Sequence, residues 1–297
     1  MAFKNIKVLK LVINSLLKKI INFFGFKLVG IKKLVKHNDF DSIIKFILSI
    51  VEIKNKYIFF DVGANTGQSI DRFLNFRKNI LIYSFEPTPE MFSILKKKYL
   101  QKICEKKIFI NNFGLGSVPE EREFYTFKYN SINSFIPIEK NSKFEKSRKI
   151  NINQNNSNFQ KIIKANVSTL DLYCEKNNII EIDLLKIDTQ GFEPEILKGS
   201  QNMLSNQKIK IIEIELILGF AYERNLSFFD IENNLKNYGY KLISISNSGN
   251  IISYSNLEVD LIYVRNDIFE KLRTLHQNNS EINNIMKSVN EDHPFSY

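Results

Sequence analysis

Short apolar runs bounded by turn-forming residues alternate, through the middle of the chain, with longer stretches of helical period. YIFFD at 57–61, ILIYSF at 80–85, KIFINNF ending at Asn112, residues 122–127, LLKI at 184–187 and IIEIELI read as strands. YKLISIS and VDLIYVR follow as a closing β-pair around a turn with Ser248 and Gly249. Helices are predicted over 39–54, 67–76, 89–100 and 227–237, and a further one begins at Pro194. Pro89 and Pro194 suit first turns, and Gly199 marks an end. From Lys140 to Asn166 the periodicity gives way to Asn, Ser, Lys and Gln, which predicts a long mobile insertion of the kind that forms lids or recognition loops. The tail from Gln277 is polar and aperiodic, and reads as frayed.

The most informative junction is IFFDVGANTG at 58–67, where an apolar strand runs into a turn that opens a helix. Gly63 and Gly67 permit a sharp turn and close approach to a ligand, and Asn65 is the non-glycine residue that best tolerates a left-handed conformation. A dinucleotide loop needs glycines where this one has Asn65 and Gln68, so a pyrophosphate ligand is disfavoured. Asp61 before the turn repels phosphate but favours an ammonium or sulfonium, the charge pattern of S-adenosylmethionine. Glu86 ends the next strand, one βαβ crossover away, where an acid accepts both hydroxyls of a ribose. Asn112, at the third strand end, meets the adenine edge or serves as a turn residue. The expected cofactor set is therefore Asp61, Gly63, Asn65, Gly67, Glu86 and Asn112.

DVGANTGQ, FEPTPEMF, NNFGLGS, VSTLDLYCEK and DLLKIDTQGFEPEILKGS, in that order and spacing, resemble the FkbM family of S-adenosylmethionine-dependent methyltransferases from about Tyr57 to about Arg265. The resemblance implies a Rossmann-like, class I methyltransferase α/β fold. Its sheet would be doubly wound and mostly parallel with one antiparallel edge strand. It also implies O-methyltransferase activity, while leaving the acceptor open.

The chemistry is expected at DLLKIDTQGFEPE. Leu184 to Ile187 read as a buried strand, so Lys186 and Asp188 emerge at its carboxyl end, beside the glycine turn. Methyl transfer to oxygen needs the acceptor in line and a group to take its proton. The three histidines, His37, His276 and His293, lie outside the recognisable domain. Asp188 is the expected base or acceptor-positioning group, with Glu193, Lys186 and Glu215 as partners. Glu213 and Glu215 lie two apart on one strand and so share a face. Two alternatives stay open: Asp188 capping the next helix through Thr189 to Gly191, and Asp188 with Glu215 holding Mg²⁺ or Ca²⁺, although no metal-ligand spacing is evident. Tyr222 and Arg224 line the acceptor pocket or are ordinary surface residues, and Ser131 and Ser134 have no assignable role.

Composition changes the picture mainly through charge. The net charge of +10 is uneven: residues 1–36 hold nine lysines and no acid, leaving 33 basic against 32 acidic side chains in the remaining 261 residues. Lys4, Lys7, Lys10, Asn14, Lys18 and Asn22 fall on one side of a predicted amphipathic helix, opposite Leu9, Val12, Ile13, Leu16, Ile20, Phe23 and Phe24. Its lysine-free stretches are too short to span a bilayer, so it is read either as packed on protein or as lying on an anionic membrane surface. Cys104 and Cys174 read as reduced packing residues, which agrees with a cytoplasmic location. The near-neutral catalytic region and the absence of a D/N-P-P-Y/F element at the KIDTQGF strand end argue against nucleic acid as partner.

The expected organisation is an N-terminal extension to residue 54, a methyltransferase domain over 55–266 with the polar insertion at 140–166, and a helical to disordered tail. The expected partner is a sugar hydroxyl of a bacterial surface glycan or its precursor. The alternatives are a non-sugar small molecule, or a non-catalytic cofactor-binding module recruited to a membrane or partner. No oligomeric state is implied.

Overall fold

The computed structural model describes residues 40–51, 54–128, 130–142, 144–146, 160–219, 221–224, 226–247 and 256–277. The predicted basic helix, most of the polar insertion, the turn at Ser248 and Gly249, and the tail beyond Gln277 lie outside the described residues. Two compact units divide between Ser42 and Ile43, and both sheets and the cavity belong to the second, residues 43–297.

Helix α1 (Phe40–Ile50) is followed by β1 (Tyr57–Val62), α2 (Gln68–Leu74), β2 (Ile80–Phe85), α3 (Pro89–Lys98), α4 (Leu100–Cys104) and β3 (Ile108–Asn111). Next come β4 (Gly114–Leu115), β5 (Glu120–Phe127), β6 (Gln160–Ser168), α5 (Leu170–Lys176), β7 (Ile182–Ile187), α6 (Glu193–Lys198) and α7 (Gln201–Ser205). The chain closes with β8 (Ile209–Gly219), α8 (Phe228–Lys236), β9 (Lys241–Asn247), β10 (Asn256–Val264) and α9 (Asn266–Gln277). Seven strands form one sheet in the order β3-β2-β1-β7-β8-β10-β9. All its neighbours are parallel except β10, which runs antiparallel to both β8 and β9. The expected antiparallel strand thus lies one place in from the edge.

Continuous apolar runs place these strands in the middle of the molecule, because a parallel strand carries a helix on each face. Consecutive residues of β1 show it. Phe59 meets Phe73 of α2 edge-on at 5.3 Å, whereas Phe60 turns to the other face and meets Tyr173 of α5 at 5.9 Å. Strand starts are tied by ions rather than oil: Lys54 and Lys210 each pair with Glu181 and Asp183, and Arg265 reaches Glu181. Asp183 also accepts the Ile58 N–H at 2.9 Å, so its burial is compensated.

Part of the expected mobile insertion is regular. β6 pairs antiparallel with β5 from Gln160 to Val167 and parallel with β4, making a second, three-stranded sheet. Its Asn and Lys residues masked a period of two: Ile163, Ala165 and Val167 turn inward between Lys164, Asn166 and Ser168. Cys174 is buried as expected, but Cys104 is exposed.

Candidate active site

The register of the large sheet sets side by side residues that are far apart in sequence. Asp61 pairs with Lys186 across β1 and β7, Lys186 with Glu213 across β7 and β8, and Glu215 with Asp260 across β8 and β10. Paired residues share a face, so these charges make one row on the α2 side, buried at Asp61, Lys186 and Glu213 and half-buried at Glu215 and Asp260. Arg72 of α2 closes over it, 2.5 Å from Glu213. At the carboxyl ends of the strands a cavity of about 360 Å³ opens, lined by Gly63, Asn65, Glu86, Lys186, Asp188 and Glu215 among others. A volume in this range suits a small ligand or cofactor.

The glycine turn has the predicted backbone, with φ of 90° at Gly63, 47° at Asn65 and 88° at Gly67. Beyond the turn itself, neighbouring protein requires both glycines. A Cβ on Gly63 would stand 1.9 Å from the Asp188 carbonyl oxygen, and one on Gly67 would stand 2.6 Å from the Tyr99 hydroxyl. Gly67 does not line the cavity. Glu86 lines it and organises the turn: its carboxylate accepts N–H groups from Asn65 and Thr88, each at 2.9 Å. Burial pushes the Glu86 carboxyl above its ordinary range, against those two bonds. Asn112 is spent otherwise, donating to the carbonyls of Glu86 and Pro87 at 3.0 and 3.2 Å, and it stands outside the lining.

Asp61 is wholly buried, and neither of its carboxylate oxygens has a hydrogen-bond partner. Burial raises it from 3.8 to about 6, against the pull of Lys186 and Arg72. Asp260 is raised to about 6 by burial and by Glu213. Lys186 is buried too, which opposes its charge, but Asp188, Asp61 and Glu213 outweigh that and hold it an ammonium.

Asp188 keeps the company expected of it, except for Glu193. Lys186 lies 2.8 Å from its Oδ2, and Gln190 Nε2 donates to its Oδ1 at 3.1 Å. The same Nε2 reaches Glu215 Oε2 at 3.0 Å, so one amide bridges the two carboxyls. Burial and the neighbouring Asp188 charge raise Glu215 far above the carboxylate range. In Asp188 burial acts upward, but Lys186 and the donated hydrogen bonds prevail and hold it low. The pair therefore shares one proton at neutral pH, with Glu215 as its keeper.

Glu193 does not enter the cavity. It takes the capping role considered for Asp188: its carboxylate accepts from the Thr189 N–H and hydroxyl and, with both oxygens, from the Gly191 N–H, all within 3.1 Å. Tyr222 is buried rather than superficial. Its hydroxyl lies 3.1 Å from Gln190 Oε1 and 3.2 Å from the Ile132 carbonyl. Arg224 is committed to Glu195. Ser134 acquires a role, donating to the Gln190 carbonyl at 2.8 Å and accepting the Ile136 N–H. Residues missed by sequence reasoning include Gln190, Glu258, Phe124 and Phe135, all lining the cavity. The alternation of Glu258 and Asp260 in β10 was a signal, but only register shows which way it faces.

The lining suits a ligand that is cationic where it reacts. Its carboxyl groups are Glu86, Asp188, Glu215 and Glu258, and Lys186 is already paired. Among the described residues no group of three or more His, Cys, Asp or Glu side chains is placed to hold a metal ion. Nor, among them, is any helix long and apolar enough to cross a membrane.

The sheet order, the turn after β1 and the acid ending β2 together define a class I, S-adenosylmethionine-dependent methyltransferase. The Methyltransferase FkbM domain matches residues 61–242, and the chain belongs to that family. No curated protein matches it. Similar solved structures include three distant methyltransferases. One is magnesium protoporphyrin IX methyltransferase from Synechocystis, 10% identical, TM-score 0.40, covering 84% of this chain and 96% of that one. Another is precorrin-6y C5,15-methyltransferase from Geobacter metallireducens, 10% identical, TM-score 0.36, covering 75% and 88%. The third is a putative rRNA methylase from Clostridium thermocellum, 7% identical, TM-score 0.38, covering 76% and 93%. Likenesses so remote carry no argument about this chain's substrate.

Proposed function

We propose that this methyltransferase acts on oxygen, and that its acceptor is a sugar hydroxyl of a bacterial surface glycan or its precursor. The observation that carries the reading is the Asp188–Glu215 carboxyl pair at the cavity wall beside the glycine turn. S-adenosylmethionine supplies the methyl group when bound, with Glu86 accepting from its ribose hydroxyls and the Gly63–Asn65 turn against its other parts. Asp61 adds negative potential beside the turn without reaching the cavity surface. The carboxyl pair orients the acceptor hydroxyl and receives its proton. Asn130, Ser131, Asn133 and Gln190 offer uncharged hydrogen-bonding groups, and Phe124 and Phe135 an aromatic wall, a combination that suits a neutral polyhydroxylated ring.

Lys186 keeps Asp188 ionised and aimed, while Glu193 holds the turn that carries it. Residues 1–36, with their nine lysines, would bring the enzyme to an anionic membrane surface where lipid-linked glycans are built. Incubation with methyl-labelled cofactor and a panel of neutral sugars, glycan fragments and non-sugar hydroxy compounds tests the reading. Label in a sugar ether, lost in Asp188→Asn, supports it; label confined to the non-sugar compounds or to nitrogen overturns it.

A further inference from the structure

Gln190 stands in the left-handed region at φ 58°, a conformation that glutamine rarely adopts, and Gly191 follows at 102°. Such strain persists where the surroundings fix it, and every polar atom of Gln190 that the turn exposes is engaged. Its two amide hydrogens divide between Asp188 at 3.1 Å and Glu215 at 3.0 Å. Its amide oxygen faces the Tyr222 hydroxyl at 3.1 Å, and its backbone carbonyl takes the Ser134 hydroxyl at 2.8 Å. Only a side chain with two donors and an acceptor in one plane satisfies the first three partners; glutamate has no donor, and lysine no acceptor. Tyr222 is itself fixed, since its hydroxyl also lies 3.2 Å from the Ile132 carbonyl in the segment bordering the cavity.

We propose that Gln190 is the positioning residue of the acceptor end, its amide tying the Asp188 and Glu215 carboxyls into one unit and Tyr222 aiming that amide. The proposal rests on the reading that this pair faces the acceptor. The groups around Glu215 come from several elements. Asp188 follows β7 and Lys186 lies within it; Asp61 comes from β1, Glu213 from β8, Asp260 and Glu258 from β10, and Arg72 from α2 over Glu213. Among them Gln190 is the neutral group that touches both carboxyls, so it fixes their separation without adding charge. Each N–H it donates favours an ionised carboxylate, so its loss makes the pair hold its proton more tightly.

Carbon-13 labelling of glutamate side chains in the full chain, with the Glu215 resonance assigned by Glu215→Gln, reads the pH at which Glu215 loses its proton. In the unaltered protein Glu215 stays protonated through neutral pH. Gln190→Met, of similar length but without donors, moves its midpoint upward by about one unit, and Tyr222→Phe moves it the same way by less. Gln190→Asn suits left-handed backbone better and is too short to span both carboxyls, so it gives the same shift even if the Met variant fails to fold. An unchanged midpoint in a folded Gln190 variant, with only the melting temperature altered, overturns the proposal and leaves Gln190 a turn residue. Calorimetry of the unaltered protein with S-adenosylhomocysteine separates the two readings: absence of binding defeats the methyltransfer site, whereas the titration decides Gln190 alone.

Discussion

Asp61→Asn is expected to stabilise the ligand-free protein while weakening its hold on cofactor. Asp61 is fully buried, its oxygens lack hydrogen bonds, and its pKa stands at about 6 against an ordinary 3.8. That rise of about two units already includes the pull of Lys186 and Arg72, and corresponds to about 3 kcal/mol set against the ionised form. The sign follows from the fold binding the proton more tightly than the unfolded chain does. The native state is favoured below pH 3.8, loses that advantage as pH rises from 3.8 to 6, and is level above.

Asparagine removes the charge but leaves a buried amide to satisfy, so the net gain at pH 8 is about 1–2 kcal/mol, or roughly 2–8 °C in melting temperature. Asp260 also titrates near 6, but it is present in both proteins and cancels in the difference. Thermal melts of both proteins from pH 4.5 to 8 should diverge through pH 6 and then run parallel. A difference independent of pH, or a variant that melts lower at pH 8, refutes the reasoning. Calorimetry with S-adenosylhomocysteine should show weaker binding by the more stable variant, the familiar trade between site and stability.

Lys186→Met removes the cation from a row of buried acids and should destabilise by about 3–5 kcal/mol, read from chemical denaturation midpoints. Glu193→Gln sets an amide donor against the Gly191 N–H. It should cost about 2 kcal/mol and loosen the Asp188 turn, seen as faster amide exchange at Thr189 and Gly191. Gly63→Ala places a methyl group on the Asp188 carbonyl and forces an L side chain to φ 90°, so soluble folded protein should be largely lost, whereas Gly199→Ala tests a similar backbone clash, at Gly116, away from the site.

How much of this was legible in the sequence depended on how local the cause was. The turn from Asp61 to Gly67 was readable because backbone sterics are written in single residues: Asn65 and both glycines adopt the positive φ their identities allow. The strands were legible as short apolar runs and the mostly parallel sheet through the family resemblance, while the order in which the strands pair was not. What stayed hidden was how polar side chains divide between turn and cavity. Glu193, expected as a partner of Asp188, holds the Thr189 and Gly191 backbone instead, and Asn112, open between adenine edge and turn residue, takes the turn role. Gly63 lines the cavity as expected, but it also gives way to the end of β7, 125 residues on, which nothing local announces. Gln190 drew no attention in the sequence because its partners, Glu215 and Tyr222, arrive from β8 and the loop after it. β6 was hidden by Asn and Lys on its outer face, although Ile163, Ala165 and Val167 kept the strand period.

On the proposed reading the cavity holds S-adenosylmethionine through the Gly63 turn and Glu86. Isothermal titration of the purified protein with S-adenosylhomocysteine, beside NAD and a Glu86→Ala variant shown to be folded, tests it most directly. The account predicts binding of the homocysteine nucleoside but not of NAD, weakened at least tenfold in the variant, about 1.4 kcal/mol or more. Equal binding by the variant, preference for NAD, or no binding by the folded unaltered protein would contradict it.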